Sequence, residues 1–278
     1  MRRRSVHGWV AAARPLDRCG QHAVSGPFLR DFERAEAALH AAMETALRCA
    51  AEGVEVEYKE GGSPVTAADR EIDGLLRDAL VEPGEGWLSE ESVDDGERLT
   101  CSRVWVVDPL DGTRSFVSGR KDYSVSIGLL VDRQPVLGAV GSPANGVTVI
   151  GGVGSGLQVE GAPAWTMRGE RERPRVLMSR SEMKHGDARG LEDRLPVQPV
   201  GSVAYKLALV AAGFADATWT TWPKHEWDVA AGAALILAAG GEVWLPKGGH
   251  LLWNRPRPRF RSFAGARAGV RPVAERYV

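Results

Sequence analysis

The segment Trp105-Val106-Val107-Asp108-Pro109-Leu110-Asp111-Gly112-Thr113 constrains this chain more than any other. Its β-branched and aromatic start reads as a buried strand. Asp108 and Asp111 stand at the tip of that strand, with Pro109 between them. Proline fixes φ and disfavours helix in the residue before it, so a bend is expected there. Two carboxylates held together repel unless a cation lies between them. Mg²⁺ suits an all-oxygen site, because it takes carboxylates, waters and phosphate oxygens. The plainer alternative is a strand followed by an Asp-Gly turn.

The remaining pattern is that of a mixed α and β protein. Leu29, Phe32, Leu39, Met43 and Leu47 follow helical spacing, which predicts a long amphipathic helix ending near Gly53. A second helix carries Ile72, Leu75, Leu76, Ala79 and Leu80. Strands are expected at Val104–Val107, Tyr123–Val131, Val136–Val140 and Val147–Val153, with turns at 132–134 and 143–146. Beyond 150, strands are expected at 176–179, 217–219, 242–245 and 260–264, and helices at Tyr205–Phe214 and Asp228–Ala239. Gly240-Gly241 closes the last of these as a C-cap. The glycines at 151–156 lack the spacing of a P-loop or a dinucleotide fingerprint and read as a turn.

Four acids share one property, which is that each lies where a regular element begins or ends. Glu90 follows Trp87-Leu88-Ser89, Asp108 and Asp111 end a strand, and Asp228 opens an Ala-rich helix. Element ends gather at one edge of a layered α/β structure, so these acids can converge. Each also has a plainer reading. Asp228 fits an N-cap, and Glu90-Glu91 fits a solvated acidic pair. Thr66-x-x-Asp69 reads as a capping-box-like helix start. Several buried carboxylates with no matching basic cluster would be very unstable, and divalent cations resolve that. Two metals about 3.5–4 Å apart can hold the attacking and leaving oxygens of a phosphoryl displacement. Gly112 and Thr113 could offer backbone N–H groups to phosphate if a helix starts there.

Composition narrows the class. The 278 residues are 44% hydrophobic and 26% charged, as in ordinary soluble domains. A formal net charge of −1 gives no electrostatic case for nucleic acid. No run approaches the ~18 apolar residues of a membrane span. Cys19, Cys49 and Cys101 are sparse, odd in number and without metal-ligand spacing, which points to a reducing, cytoplasmic setting. Residues 1–25 are basic and aperiodic and are expected to form a disordered arm. Residues 26–150 are expected to form an N-terminal α+β metal-binding domain, and 151–278 a C-terminal α/β domain that completes the site.

At this point the chain resembles the inositol monophosphatase superfamily of Mg²⁺-dependent, lithium-sensitive phosphomonoesterases. The match is carried by SPVTAAD (63–69), LSEES (88–92), WVVDPLDGTRSF (105–116) and EWDVAAG (226–232). VSIGLL (125–130), GSVAYKLALVAAGFADA (201–217) and the glycines at 240–241 support it. The resemblance implies a layered α-β-α-β-α sandwich and a small phosphate ester as substrate. It also implies that the enzyme is often a homodimer. By the same resemblance Glu90, Asp108 and the Leu110 carbonyl would hold one Mg²⁺. Asp108, Asp111 and Asp228 would hold a second, and a weaker third would lie near Glu90 and Asp69. Thr113, with Asp69 or Glu90, would orient the attacking water, and the amides of Gly112 and Thr113 would seat the phosphate.

Substrate features divide. SPVTAAD, Arg114, MSRS (178–181) and KHEWDVAAG (224–232) lean toward the 3′(2′),5′-bisphosphate nucleotidase branch, where Arg180 and Lys224 could meet a second phosphate. FVSGRKDYSVSIGL is closer to inositol-phosphatase or histidinol-phosphatase relatives, and an aminocyclitol or other sugar phosphate stays open. Thr221 stands where inositol monophosphatases carry an inositol-contacting acid, which counts against inositol 1-phosphate. Two rivals remain. A haloacid-dehalogenase-type phosphatase would want its acids two apart rather than three. A non-catalytic protein could also keep this fold.

Overall fold

The computed structural model describes residues 28–53, 56–58, 64–165, 173–185 and 190–277. The arm expected over 1–25 lies outside these residues. The first layer is helical. α1 (Leu29–Glu52) leads through the antiparallel pair β1 (Val56–Tyr58) and β2 (Pro64–Thr66) into α2 (Ala67–Leu80). α1 buries Phe32, Ala35, Ala38, Leu39, Ala42 and Ala46, a single stripe at helical spacing. α2 adds Ile72, Leu76 and Leu80.

These helices cover one face of a six-stranded sheet. It comprises β3 (Gly86–Ser89), β4 (Arg103–Asp111), β5 (Ser124–Val131), β6 (Gln134–Ser142), β7 (Val147–Gly152) and β8 (Gly156–Glu160), in that spatial order. A 3-10 turn (Glu97–Thr100) precedes β4, and the short helix α3 (Thr113–Val117) follows it. β3 and β4 run parallel, and the remaining pairs are antiparallel. Asp132 and Arg133 both take positive φ in the two-residue β5–β6 turn, the geometry that matches the right-handed twist of the flanking strands. The glycines at 151–156 form the β7–β8 hairpin.

Sheet two comprises β9 (Val176–Met178), β10 (Val197–Pro199), β11 (Ala217–Thr220), β13 (Glu242–Trp244) and β15 (Phe263–Ala266), ordered β10-β9-β11-β15-β13. α4 (Arg180–His185), α5 (Val203–Ala211), α6 (Glu226–Ala238) and α7 (Arg271–Ala274) connect or follow its strands. A two-stranded ribbon of β12 (Lys224–His225) and β14 (Arg259–Phe260) stands apart from it.

Side-chain alternation sorts the layers. Trp105 and Val107 of β4 face α1 and α2, while Val104 and Val106 face α5 and α6. Leu177 of β9 shares that second core, and its neighbours Val176 and Met178 face the other way, toward Leu191, Leu195 and Ala274. The result is the expected α-β-α-β-α order. α6 is apolar almost all round because it lies between two sheets. Its approach to the first sheet is unusually close. A Cβ on Gly138 of β6 would fall 2.2 Å from the Ala231 carbonyl oxygen, so only glycine fits there.

Three of the boundaries that differ from the expected ones bear on the site. β4 does not end at Val107 but runs through Pro109 to Asp111. α6 begins at Glu226, with His225 as its N-cap, so Asp228 is the third residue of the helix rather than its cap. α5 begins at Val203, capped by Ser202, which accepts from the Tyr205 N–H at 2.9 Å.

Candidate metal and phosphate site

The bend expected at Pro109 is a bulge. Asp108 pairs with Ser126 and Asp111 with Ser124, so two residues of β4 oppose one of β5. Pro109 occupies the bulge, where its missing N–H costs no ladder bond. The bulge also sets direction. Residues three apart on a regular strand point to opposite faces, and the extra residue reverses that parity so that both acids serve one edge.

Glu90 follows β3 directly, and the parallel register of Ser89 beside Val107 brings it next to Asp108. Asp228 arrives on the first turn of α6, where its Oδ2 accepts from the His225 N–H at 2.9 Å. One carboxylate oxygen each from Glu90, Asp108 and Asp228 lies within 4.8 Å of the other two. Asp108 is 2% exposed, whereas Glu90 and Asp228 keep part of their surface open. Burial pushes the Asp108 carboxyl well above its ordinary range, reinforced by Glu90, Asp111, Asp228 and Asp69. Asp228 is pushed up to about 7, first by burial and then by Asp111 and Glu90, against the pull of Lys224. The donors are hard oxygens held close together, their negative charges acting on one another, which fits a divalent cation such as Mg²⁺.

Asp111 stands beside this group rather than in it. Its Oδ2 accepts from Ser202 Oγ and from the Ala204 N–H, both at 2.7 Å, at the start of α5. A helix N-terminus favours a carboxylate there. Its charge still reaches Asp108 and Asp228. The Leu110 N–H donates to Asp108 Oδ1 at 3.0 Å, and the Leu110 carbonyl accepts from Thr113 Oγ1 at 3.1 Å, leaving one lone pair.

Thr113 opens α3, and its Oγ1 also lies 3.3 Å from Asp69 Oδ1. Asp69 forms the expected capping box, in which its Oδ2 accepts from Thr66 N at 2.7 Å and its own N–H donates to Thr66 Oγ1 at 3.4 Å. Burial raises the Asp69 pKa despite those bonds. Gly112 caps α3 with φ +96°, which L residues rarely adopt, and a Cβ there would meet the Asp122 carbonyl oxygen at 3.2 Å. Arg114 is exposed on α3. Arg180, the first residue of α4, is paired with Asp122. Lys224, in β12, acts electrostatically on Asp228.

Sequence reasoning missed a second polar group behind the acids. Lys206 of α5 and Glu182 of α4 form an ion pair at 3.5 Å, with side chains only 1% and 5% exposed. Burial alone would raise Glu182, but Lys206 and bonds from Ser179 and Thr220 outweigh it and leave the carboxyl at about 2. Burial lowers the Lys206 pKa. A lysine inside the apolar run YKLALVAAG was the available clue, since lysine is almost never buried unpaired. Ser202 was missed as well. It is a non-glycine residue at φ +55° whose Oγ also lies 2.9 Å from Ser124 Oγ.

The inositol monophosphatase family model matches residues 29–270. A 3′-phosphoadenosine 5′-phosphate phosphatase of Mycobacterium bovis is 36% identical over 221 residues, covering 74% of this chain and 79% of that protein. The 3′(2′),5′-bisphosphate nucleotidase CysQ of Escherichia coli is 34% identical over 200 residues, covering 68% and 79%. The crystal structure of CysQ from Bacteroides thetaiotaomicron superposes with a TM-score of 0.72 at 26% identity, covering 87% of this chain and 98% of that one. The family match takes in every acid of the site, and the chain belongs to the inositol monophosphatase family of phosphatases.

Proposed function

We propose that this protein hydrolyses the phosphomonoester of a nucleoside 3′(2′),5′-bisphosphate, 3′-phosphoadenosine 5′-phosphate being the first candidate. The reading of the reaction is carried by one observation, the meeting of Glu90, Asp108 and Asp228 within 4.8 Å. The reading of the substrate is supported by relatives of 34–36% identity that bear those names. Both halves of the chain serve the site, with Glu90 and Asp108 from 26–150 and Asp228 from 151–278.

Glu90, Asp108 and Asp228 would hold Mg²⁺, joined by the Leu110 carbonyl and, at a second ion, by Asp111. Bound there, Mg²⁺ supplies Lewis-acid polarisation of the phosphoryl group and an activated water. Thr113 directs its hydroxyl proton toward Asp69 and the Leu110 carbonyl. Its lone pairs are then left to accept from a water and aim it at phosphorus. Asp69, with its raised pKa, is suited to take a proton from that water through Thr113. The amides of Gly112 and Thr113 seat the phosphate. Arg114, Arg180 and Lys224 are the candidate contacts for a second phosphate, with Lys224 favoured because Arg180 already pairs with Asp122.

Among the described residues Cys49 and Cys101 form no disulfide, which supports a cytoplasmic setting. No helix among the described residues is long and apolar enough to cross a membrane.

The test is phosphate release with Mg²⁺ from 3′-phosphoadenosine 5′-phosphate, inositol 1-phosphate, histidinol phosphate, fructose 1,6-bisphosphate and aminocyclitol phosphates. The nucleotide is expected to show the highest kcat/KM. A clear preference for any other member of the panel would overturn the substrate reading.

A further inference from the structure

A chain of buried polar side chains joins the segment that carries Glu90 to the helix that carries Asp228. Glu226, the first residue of α6, is fully buried. Its Oε2 accepts from the Asn254 N–H at 2.8 Å, and its Oε1 from the Arg255 N–H at 3.2 Å and Arg255 Nε at 3.5 Å. Its own N–H donates to the Pro258 carbonyl at 2.9 Å. Asn254 is 1% exposed and holds φ +52°, a left-handed conformation that Asn tolerates better than most residues. Its side chain meets Arg98 twice. Oδ1 accepts from Arg98 Nη1, and Nδ2 donates to the Arg98 carbonyl at 3.0 Å.

Arg98 is also 1% exposed. It donates through Nε and Nη2 to the two oxygens of Asp94 at 3.0 and 2.6 Å, and through Nη2 to the Arg255 carbonyl at 3.0 Å. A Cβ on Gly86, at the start of β3, would clash with Arg98 Cβ at 2.8 Å, so β3 rests on this arginine. Asp94 and Arg98 follow Glu90 in the chain, and Glu226 precedes Asp228 by two residues. The Arg98–Asn254–Glu226 chain therefore ties together the two partly exposed acids of the cluster, one following the edge strand β3 and the other carried on α6.

Apolar side chains would have filled this space at lower desolvation cost. Hydrogen-bonded charges instead impose direction, and they restrict how α6 can shift against the Glu90 segment. We propose that Glu226 is a positioning residue for the divalent cation. Acting through Asn254 and Arg98, it holds Asp228 in register with Glu90. The inference rests on the reading of Glu90, Asp108 and Asp228 as cation ligands.

The test is calorimetric titration of Mg²⁺ into the full-length protein and into Glu226→Gln and Asn254→Gly, together with the rise in Tm that Mg²⁺ produces in each. Glycine accepts φ +52°, so Asn254→Gly removes the side chain without backbone strain and decides the matter if Glu226→Gln does not fold. Glu85→Gln is the control. Its carboxylate pairs with Arg103 at 2.9 Å and Trp105 Nε1 at 2.9 Å, at the far end of β4 from the acids. Loss of a supporting partner behind a metal ligand typically costs about 10–100-fold in affinity. The Mg²⁺ dissociation constant should rise by that order in the two chain variants and stay at the wild-type value in Glu85→Gln, although all three lower Tm. Wild-type Mg²⁺ affinity in a folded Glu226→Gln or Asn254→Gly protein would overturn the positioning role. Failure of the wild-type protein itself to bind Mg²⁺ would overturn the underlying metal reading as well.

Discussion

Thr113 Oγ1 lies 3.3 Å from Asp69 Oδ1, so the first residue of α3 is joined to the capping carboxylate of α2. The contact spans 44 residues of sequence and connects a helix start to the strand tip that bears Asp108 and Asp111. Replacing Thr113 with alanine removes the hydroxyl that would orient water. The expected outcome is a fall in kcat of about 10²-fold or more with little change in KM, and Thr113→Ser should recover most of it. Steady-state kinetics at saturating Mg²⁺ check this.

The clustered acids make stability depend on pH in the protein without metal. Asp228 has an ordinary pKa of 3.8 and is raised to about 7 in the folded chain, and Asp108 is raised as well. The folded state therefore binds protons more tightly than the unfolded state. Their stabilising contribution is complete below about pH 4 and is lost as pH rises toward 7. In EDTA, Tm should decline across that window. Asp228→Asn should flatten the decline, and Mg²⁺ should remove it, because the cation favours the ionised carboxylates. Thermal melts from pH 4.5 to 8, with and without Mg²⁺, measure all three.

Much of this site was legible because it is local. Asp108, Pro109 and Asp111 announce a strand tip and a bend within a few residues, and Thr66 with Asp69 announces a capping box. Glu90 and Asp228 could be placed at element ends from the surrounding apolar pattern. What local pattern could not convey is the consequence of the bulge. Whether Asp111 faces the cluster or the start of α5 depends on where Ser202 and Ala204 arrive from 91 and 93 residues away. The pairing of Lys206 with Glu182 has the same character, since neither residue has its partner in its own segment. The two-residue strand β12 is too short to carry a period, and the single strand expected at 260–264 is in fact two, β14 and β15.

The Lys206–Glu182 pair provides a separate test of packing. Removing one member leaves the other charged and buried, at a cost of about 3–5 kcal/mol. Lys206→Met should therefore destabilise strongly. Lys206→Met combined with Glu182→Gln should recover part of the loss, because both charges are then gone. Urea denaturation of the four proteins in the cycle gives the coupling.

Gly112 should resist substitution for two reasons that act together. Its φ of +96° is strained for any L residue, at about 1–3 kcal/mol, and a Cβ would press on the Asp122 carbonyl oxygen. Gly112→Ala is expected to lower stability by that order, and to lower activity further than stability alone explains, because α3 and Thr113 would move with it. Chemical denaturation beside kinetics separates the two effects.

If Asp108 anchors a divalent cation shared with Glu90 and Asp228, phosphate release requires the Asp108 charge. Asp108→Asn keeps the shape of the side chain and removes its charge. The direct measurement is Mg²⁺-dependent phosphate release by Asp108→Asn, made beside a circular dichroism spectrum that verifies the fold. The expected result is a folded protein with activity lost. Near-normal Mg²⁺-dependent turnover by the folded variant would contradict it.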